Sequence, residues 1–377
     1  MNSSKASKST RLPEEVLAES DEIRARVADL SEHAPKAEKA YAVVEGLPAN
    51  ARIHRKGEPK DLGDEVPRGF LTILGGQQLP ADCKGSGRDY LANWIADAKN
   101  PLTARVIVNR IWQYHFGKGI VPTPNDFGSR GAAPTHPELL DYLGTQFIKS
   151  GWSLKAMHRM IMLSRAYQLA ATDDAHNTEV DANNDLLWRF SRRRLSAEEI
   201  RDAMLATSGS LDRTMGEAHP FPPESEWHYT QHNQFFAVYD NNRRSVYLMQ
   251  QRMKKHPLME VFDGPDTNYI TSPRPLSTTP LQALFLMNSP FVHQQADLFA
   301  VRVGMAYDTL PQRINYAFLL AYGRPAKPAE VREATDYIQK VRQELQEVKT
   351  PMDQLTRAAL ASFLRVVLAS DEFLYVD

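Results

Sequence analysis

NPLTARVIVNRIWQYHFGKGIVPTPNDFG, residues 100–128, is the stretch on which the fold turns. Asn100 followed by Pro101 opens a helix, because proline's missing N–H costs nothing at the first helical position. Turning about 100° per residue from Leu102 to Phe116 puts Ala104, Ile107, Val108, Ile111, Trp112 and Tyr114 on one broad face. Arg105, Asn109, Arg110 and Gln113 fall on the other. An apolar arc of that width places the helix in the core rather than on the surface. His115 lies inside the arc, where a buried, hydrogen-bonded histidine is the expected state. A ligand role for it needs partners, and Asn125, Asp126 and His136 come next across a loop able to fold back, at a spacing that matches no metal-ligand pattern. Gly117 and Gly119 suit the helix exit, Pro122 and Pro124 stiffen the loop beyond it, and Asn125 and Asp126 are turn formers.

Outward from this helix, the same punctuation recurs. His136-Pro137 opens PELLDYLGTQFIKS, which stops near Gly151, and Ser153 caps LKAMHRMIMLSRAYQL. Ser86 with Asp89 starts DYLANWIADA, and Ser196 with Glu199 forms a capping box ahead of AEEIRDAMLATSG. Thr279-Pro280 with Gln282 starts another helix, and helices are predicted over about 280–304, 311–322, 328–347 and 352–369. Leu355, Ala359, Phe363 and Val366 stripe the last of them. Two strand candidates, 41–44 and 51–54, suit a loose hairpin around Glu45–Asn50, and 55–67 reads as loop. The fold class is therefore mainly α, with orthogonally packed helices in two subdomains, a small N-terminal β element and a loop-rich middle. The expected boundaries are a mobile polar start over 1–40 with a short helix near Glu14–Leu30, a helical subdomain over 41–215, an aromatic loop-rich insertion over 216–275 holding one strand at Arg244–Met249, and a C-terminal helical subdomain over 276–377.

Composition excludes several classes. The chain has 377 residues, 42% hydrophobic and 24% charged, in the ordinary range for a globular protein. No apolar run approaches the ~20 residues of a membrane span, and the first twenty residues lack the apolar core of a signal peptide. With 45 basic against 46 acidic residues the net charge is −1, which argues against broad nucleic-acid binding. The single cysteine, Cys83, permits no internal disulfide, no multi-cysteine zinc site and no c-type haem attachment within this chain.

Other constellations are open to two readings. Arg192-Arg193-Arg194 suits a phosphate or sulfate group, since guanidinium forks match such anions; it equally suits ion pairing with Glu198, Glu199 and Asp202 at a helix start. Glu226–His232 holds an H-x-x-x-H without the glutamate of a metalloprotease, and Trp227, Tyr229, Phe235, Phe236 and Tyr239 form an aromatic cluster suited to a lid or a partner contact. Asp263–Asp266 falls short of a calcium loop. The GWSLKAMHRMIMLSRAYQ segment has helix-turn-helix spacing, but Met160 to Leu163 run together and want burial.

The quoted stretch, with THPELLDYLGTQFIKSGWSLKAMHRMIMLSRAYQ after it, resembles the domain of unknown function found C-terminal to planctomycete cytochrome c domains (domain of unknown function 1553). VPRGFL (66–71), SGRDYLANWI (86–95), RRLSAEEIRDAML (193–205), RRSVYL (243–248), TTPLQALFLMNSPFV (278–292), AYGRPAKPAE (321–330) and SDEFLYVD (370–377) extend the resemblance over about Tyr41–Asp377. The resemblance implies an accessory or interaction module beside a haem-binding domain or protein outside the cytoplasm, with haem carried only on domains absent from this chain and no cofactor in it. Against that family plan the chain looks like a truncated or stand-alone C-terminal module. It implies no catalytic mechanism.

Three functions stand as expectations. The first is the interaction module. The second is an enzyme acting on anionic polysaccharide, with Arg110, Asn125, Asp126, His136, Arg244 and Arg274 converging in one polar cleft and no metal. The third, a DNA-binding regulator, is disfavoured by the neutral charge.

Overall fold

The computed structural model describes residues 14–33, 43–216, 241–250, 255–268, 274 and 276–376. Tyr41 and Ala42, the H-x-x-x-H segment and the aromatic cluster of 227–239 lie outside them. Fourteen α-helices and two two-stranded antiparallel sheets occur among the described residues, so the fold is mainly α. The chain divides into two units, Met1–Trp94 and Ile95–Asp377.

In the first unit, α1 (Glu14–His33) precedes a hairpin of β1 (Ala51–His54) and β2 (Leu62–Val66). Ala51 pairs with Val66, Arg52 with Glu65, and His54 with Leu62 after a register shift. The hairpin therefore joins 51–54 to a segment expected to be loop, while Val43 and Val44 form no strand. Only Gly63 of β2 is buried and no residue of β1 is. A ladder with water on both sides needs no apolar alternation, so periodicity could not reveal it. Asn50 Nδ2 donates to Glu65 Oε1 at 2.7 Å and Arg52 Nε to Gly63 O at 2.9 Å, bracing it instead. Phe70 stacks on Trp94 at 5.2 Å between centroids. The division falls inside α2 (Arg88–Ala96).

The second unit holds two apolar clusters. The first is built by α3 (Thr103–Phe116), α4 (Pro137–Lys149) and α5 (Leu154–Met162). Val108, Trp112 and Phe116 of α3 meet Leu140, Leu143 and Phe147 of α4 and Met157 and Ile161 of α5. The α3 helix starts two residues later than expected, because Asn100 Oδ1 accepts from the backbone of Leu102 (3.0 Å) and Thr103 (3.4 Å). Two residues are misplaced by the periodic reading: Tyr114 is 68% exposed, and Asn109 is fully buried.

After α6 (Ala175–Val180), the short β3 (Arg193–Arg194) leads into α7 (Ala197–Ser208). The second cluster joins α7 to α8 (Pro257–Val261), α9 (Pro280–Asn288), α10 (Pro290–Ala306), α11 (Leu310–Tyr322), α12 (Pro328–Glu347) and α13 (Met352–Leu368). Ile200, Met204, Phe299, Val303, Leu364 and Leu368 sit at its centre, where each large side chain removed from water contributes roughly 1.5–3 kcal/mol. The single helix expected over 280–304 is two, because Ser289 takes the extended conformation (φ −65°, ψ 126°) that a following proline imposes. Arg244–Met249 is not a strand. Buried Arg201 donates to the carbonyls of Asn241 and Arg243, and the chain then makes a 3₁₀ turn at Ser245–Tyr247. Finally α14 (Asp371–Leu374) delivers β4 (Tyr375–Val376) to β3, with Arg193 opposite Val376 and Arg194 opposite Tyr375. Val376 packs on the first cluster and Tyr375 on the second, so this ribbon forms the seam between them.

A candidate anion-binding cleft

At that seam lies a cavity of about 340 Å³. Trp112, Phe116 and Ile120 supply apolar wall, and Tyr375 lines it from the ribbon. Lys118, Arg192, Arg193 and Arg194 also line it, against Asp185 as the one carboxylate among the described lining residues. Lys118, Arg193 and Arg194 each have a carboxylate partner, in Asp185, Glu199 and Asp263, so the lining concentrates cationic donor groups whose charge is largely paired.

Each wall is fixed by a local device. The helix α3 ends at Gly117, whose φ of 80° is the left-handed conformation that glycine adopts without steric cost. The exit loop is then pinned to the helix it left. Asn109 Oδ1 accepts from Val121 N (2.8 Å) and Asn109 Nδ2 donates to Val121 O (3.1 Å). Gly119 fits beneath this clamp, since a Cβ there would lie 2.7 Å from Val121 O and 2.8 Å from Asn109 Nδ2. On the far side of the loop, Thr135 N donates to Ile120 O at 2.9 Å, and the Thr135 hydroxyl lies 3.0 Å from His136 Nδ1. The opposite wall is a turn organised by Asp181 and Asn184. Asp181 accepts from the backbone of Asp185 and Leu186, and Asn184 Nδ2 donates to Arg189 O and Ser191 Oγ, both at 2.8 Å.

The arginine run shows the local ion pairing expected at a helix start. Arg193 makes a bidentate pair with Glu199, both contacts at 3.1 Å, as local ion pairing at the start of α7 requires. Burial pushes the Glu199 carboxyl up, but the Arg193 guanidinium and the Ser196 N–H outweigh it and hold it below the usual range. Arg194 is buried, and donates to Asp263 Oδ2 (2.7 Å), Gln282 Oε1 (3.2 Å) and Ser277 O. Burial raises the Asp263 carboxyl, yet the Ser277 N–H and Arg194 bring it below its ordinary value. Arg192 lies over the Tyr375 ring, 5.2 Å from its centroid, a cation–π placement. All three arginines nonetheless line the cavity.

Of the six residues expected to converge, only His136 lines this cleft. Arg110 Nη2 donates to Asn125 Oδ1 at 2.6 Å, so those two do meet, away from the lining. Asp126 Oδ1 accepts from Gly128 N at 2.8 Å, as a turn former does. Arg274 pairs with Glu198 at 2.6 Å, and Arg244 stands exposed before the 3₁₀ turn. His115, inside the apolar arc, is half-buried and bonded to His158: its Nε2 lies 2.8 Å from His158 Nδ1. Burial first, then the neighbouring His158 and Arg193, hold its imidazole below the usual histidine range. Among the described residues, no three His, Cys, Asp or Glu side chains are grouped to hold a metal. Lys118, Asn184 and Asp185 escaped the sequence reading. The clue for Lys118 was its place in the glycine loop, whereas nothing along the chain links 118 to 185.

Fold and site together define a mainly α protein with an arginine- and lysine-lined cleft at the junction of two helical clusters. The chain belongs to the PSD1 family, described as protein of unknown function (DUF1553), whose profile matches residues 87–338. That span is narrower than the motif resemblance over 41–377. No curated protein and no solved structure matches the chain. Among the described residues no helix is long and apolar enough to cross a membrane.

Proposed function

We propose that the chain is a recognition module whose cleft seats an anionic group, a carboxylate, sulfate or phosphate carried by a ligand or a partner. The carrying observation is the set of four cationic side chains lining one small cavity, Lys118 on the loop pinned by Asn109 and Arg193 and Arg194 held by Glu199 and Asp263. Guanidinium and ammonium donors held in place before the ligand arrives cost little reorganisation on binding. Arg192 over Tyr375 adds an aromatic edge suited to a ring or an apolar stem. Titration calorimetry with sodium sulfate, phosphate and glucuronate tests this. Saturable binding that weakens about fivefold or more in Arg192→Ala is expected. Absence of heat with every one of these anions overturns the reading.

The resemblance to domains that come after cytochrome c modules supports a finer version, in which the anionic group belongs to a haem-bearing partner outside the cytoplasm. A second reading, an enzyme on anionic polysaccharide, draws support from His136 and Asp185 lining the same cleft. Glycosidases use two carboxylates flanking the bond, and only Asp185 is present among the described lining residues, which favours binding over cleavage. New reducing ends after incubation with an acidic polysaccharide would reverse that preference.

A further inference from the structure

Lys118 is not open to the cavity as a bare cation: its Nζ donates to Asp185 Oδ1. The two residues come from walls that are each fixed without this pair. Lys118 sits on the loop clamped by Asn109, and Asp185 on the turn closed by Asp181 and Asn184. Their side chains keep 49% and 36% of their exposure, so the pair is wet. A wet ion pair contributes little to stability. Inside a cation-lined cavity, its carboxylate stands where another oxyanion would stand.

We infer that Asp185 is a built-in counter-ion, and that a ligand's anionic group binds by displacing it from Lys118. This rests on the reading of the cleft as an anion seat and adds what sets its affinity. The released carboxylate stays in the cleft, so it also opposes a second negative charge on the ligand. The class of ligand favoured is therefore one with a single anionic group, such as a uronate, over a multiply charged one.

Titration calorimetry on the full chain with sodium glucuronate and sodium sulfate tests the exchange in four proteins: wild type, Asp185→Asn, Lys118→Met and the double variant. Asp185→Asn should tighten both anions about threefold to fivefold, with the larger gain for doubly charged sulfate. In the Lys118→Met background the gain with singly charged glucuronate should vanish, because the competition passes through Lys118, and sulfate should keep only the smaller gain that comes from losing charge repulsion. An equal gain in both backgrounds would reduce Asp185 to a general field effect and overturn the inference while leaving the anion seat standing. Weaker binding by Asp185→Asn would also overturn it, by making Asp185 a ligand contact. No binding by any of the four would end both readings. Thermal melts establish that each variant is folded, and Asp185→Ser serves if the asparagine variant is not.

Discussion

Asn109 occupies both backbone groups of Val121 with one side chain. The helical wheel sets this residue between Arg105 and Gln113 on the polar face, but its amide is consumed by the loop and it is fully buried. Asn109→Leu keeps the volume and strands the Val121 N–H and C=O in the core. Each such orphan costs about 1–3 kcal/mol, so a loss of about 2 kcal/mol or more is expected from the urea midpoint. The Lys118 loop hangs from the same clamp, so anion binding should weaken in the folded variant as well. Of the site, the arginine run, His136 and the glycine exit were legible, because local chemistry marks them. Asp185 and Asn184 were not, since their part is defined by a wall some seventy residues away in sequence, and no short pattern encodes that.

Helix starts were the most legible elements. The Ser196–Glu199 and Thr279–Gln282 boxes are both formed, with Ser196 N donating to Glu199 Oε2 at 2.7 Å and Thr279 N to Gln282 Oε1 at 3.3 Å. Ser153 Oγ accepts from Ala156 N at 3.2 Å. A cap is a contact within four residues, so its signal lies in the order of residue types. Sheet elements lacked such a signal: β2 is exposed along nearly its whole length, and β3 and β4 are two residues each. Ser196→Ala removes the acceptor for Glu199 N and should cost about 1 kcal/mol by chemical denaturation. Because Glu199 also holds Arg193, Glu199→Gln should lower stability further and alter anion affinity, whereas Ser196→Ala should leave affinity nearly unchanged.

Across the whole second unit, one cation ties three helices. Arg324, just after α11, bonds Glu330 at the start of α12 (2.9 and 2.8 Å) and Glu372 in α14 (2.6 and 2.7 Å). The Arg324 bonds and the Lys327 N–H, against some burial, bring the Glu330 carboxyl down to about 2. A carboxyl depressed in the folded state gives its full stabilisation above the unfolded pKa and loses it as pH falls towards the folded one. Denaturant midpoints should therefore hold from neutral pH down to about pH 4.5 and fall from there towards about pH 2, and Glu330→Gln should flatten that acid limb while lowering stability at neutrality. The β3–β4 ribbon sets a different limit, one of timing. Its partners stand nearly half the chain apart, and the cavity borders Arg193 and Arg194 on one strand and Tyr375 on the other. On the ribosome, the earlier helices can collapse while the pocket still has an open side. The wall at Tyr375 is completed only once residue 375 has left the exit tunnel, so on the reading proposed above an anion meets its full seat in the folded unit rather than on the nascent chain.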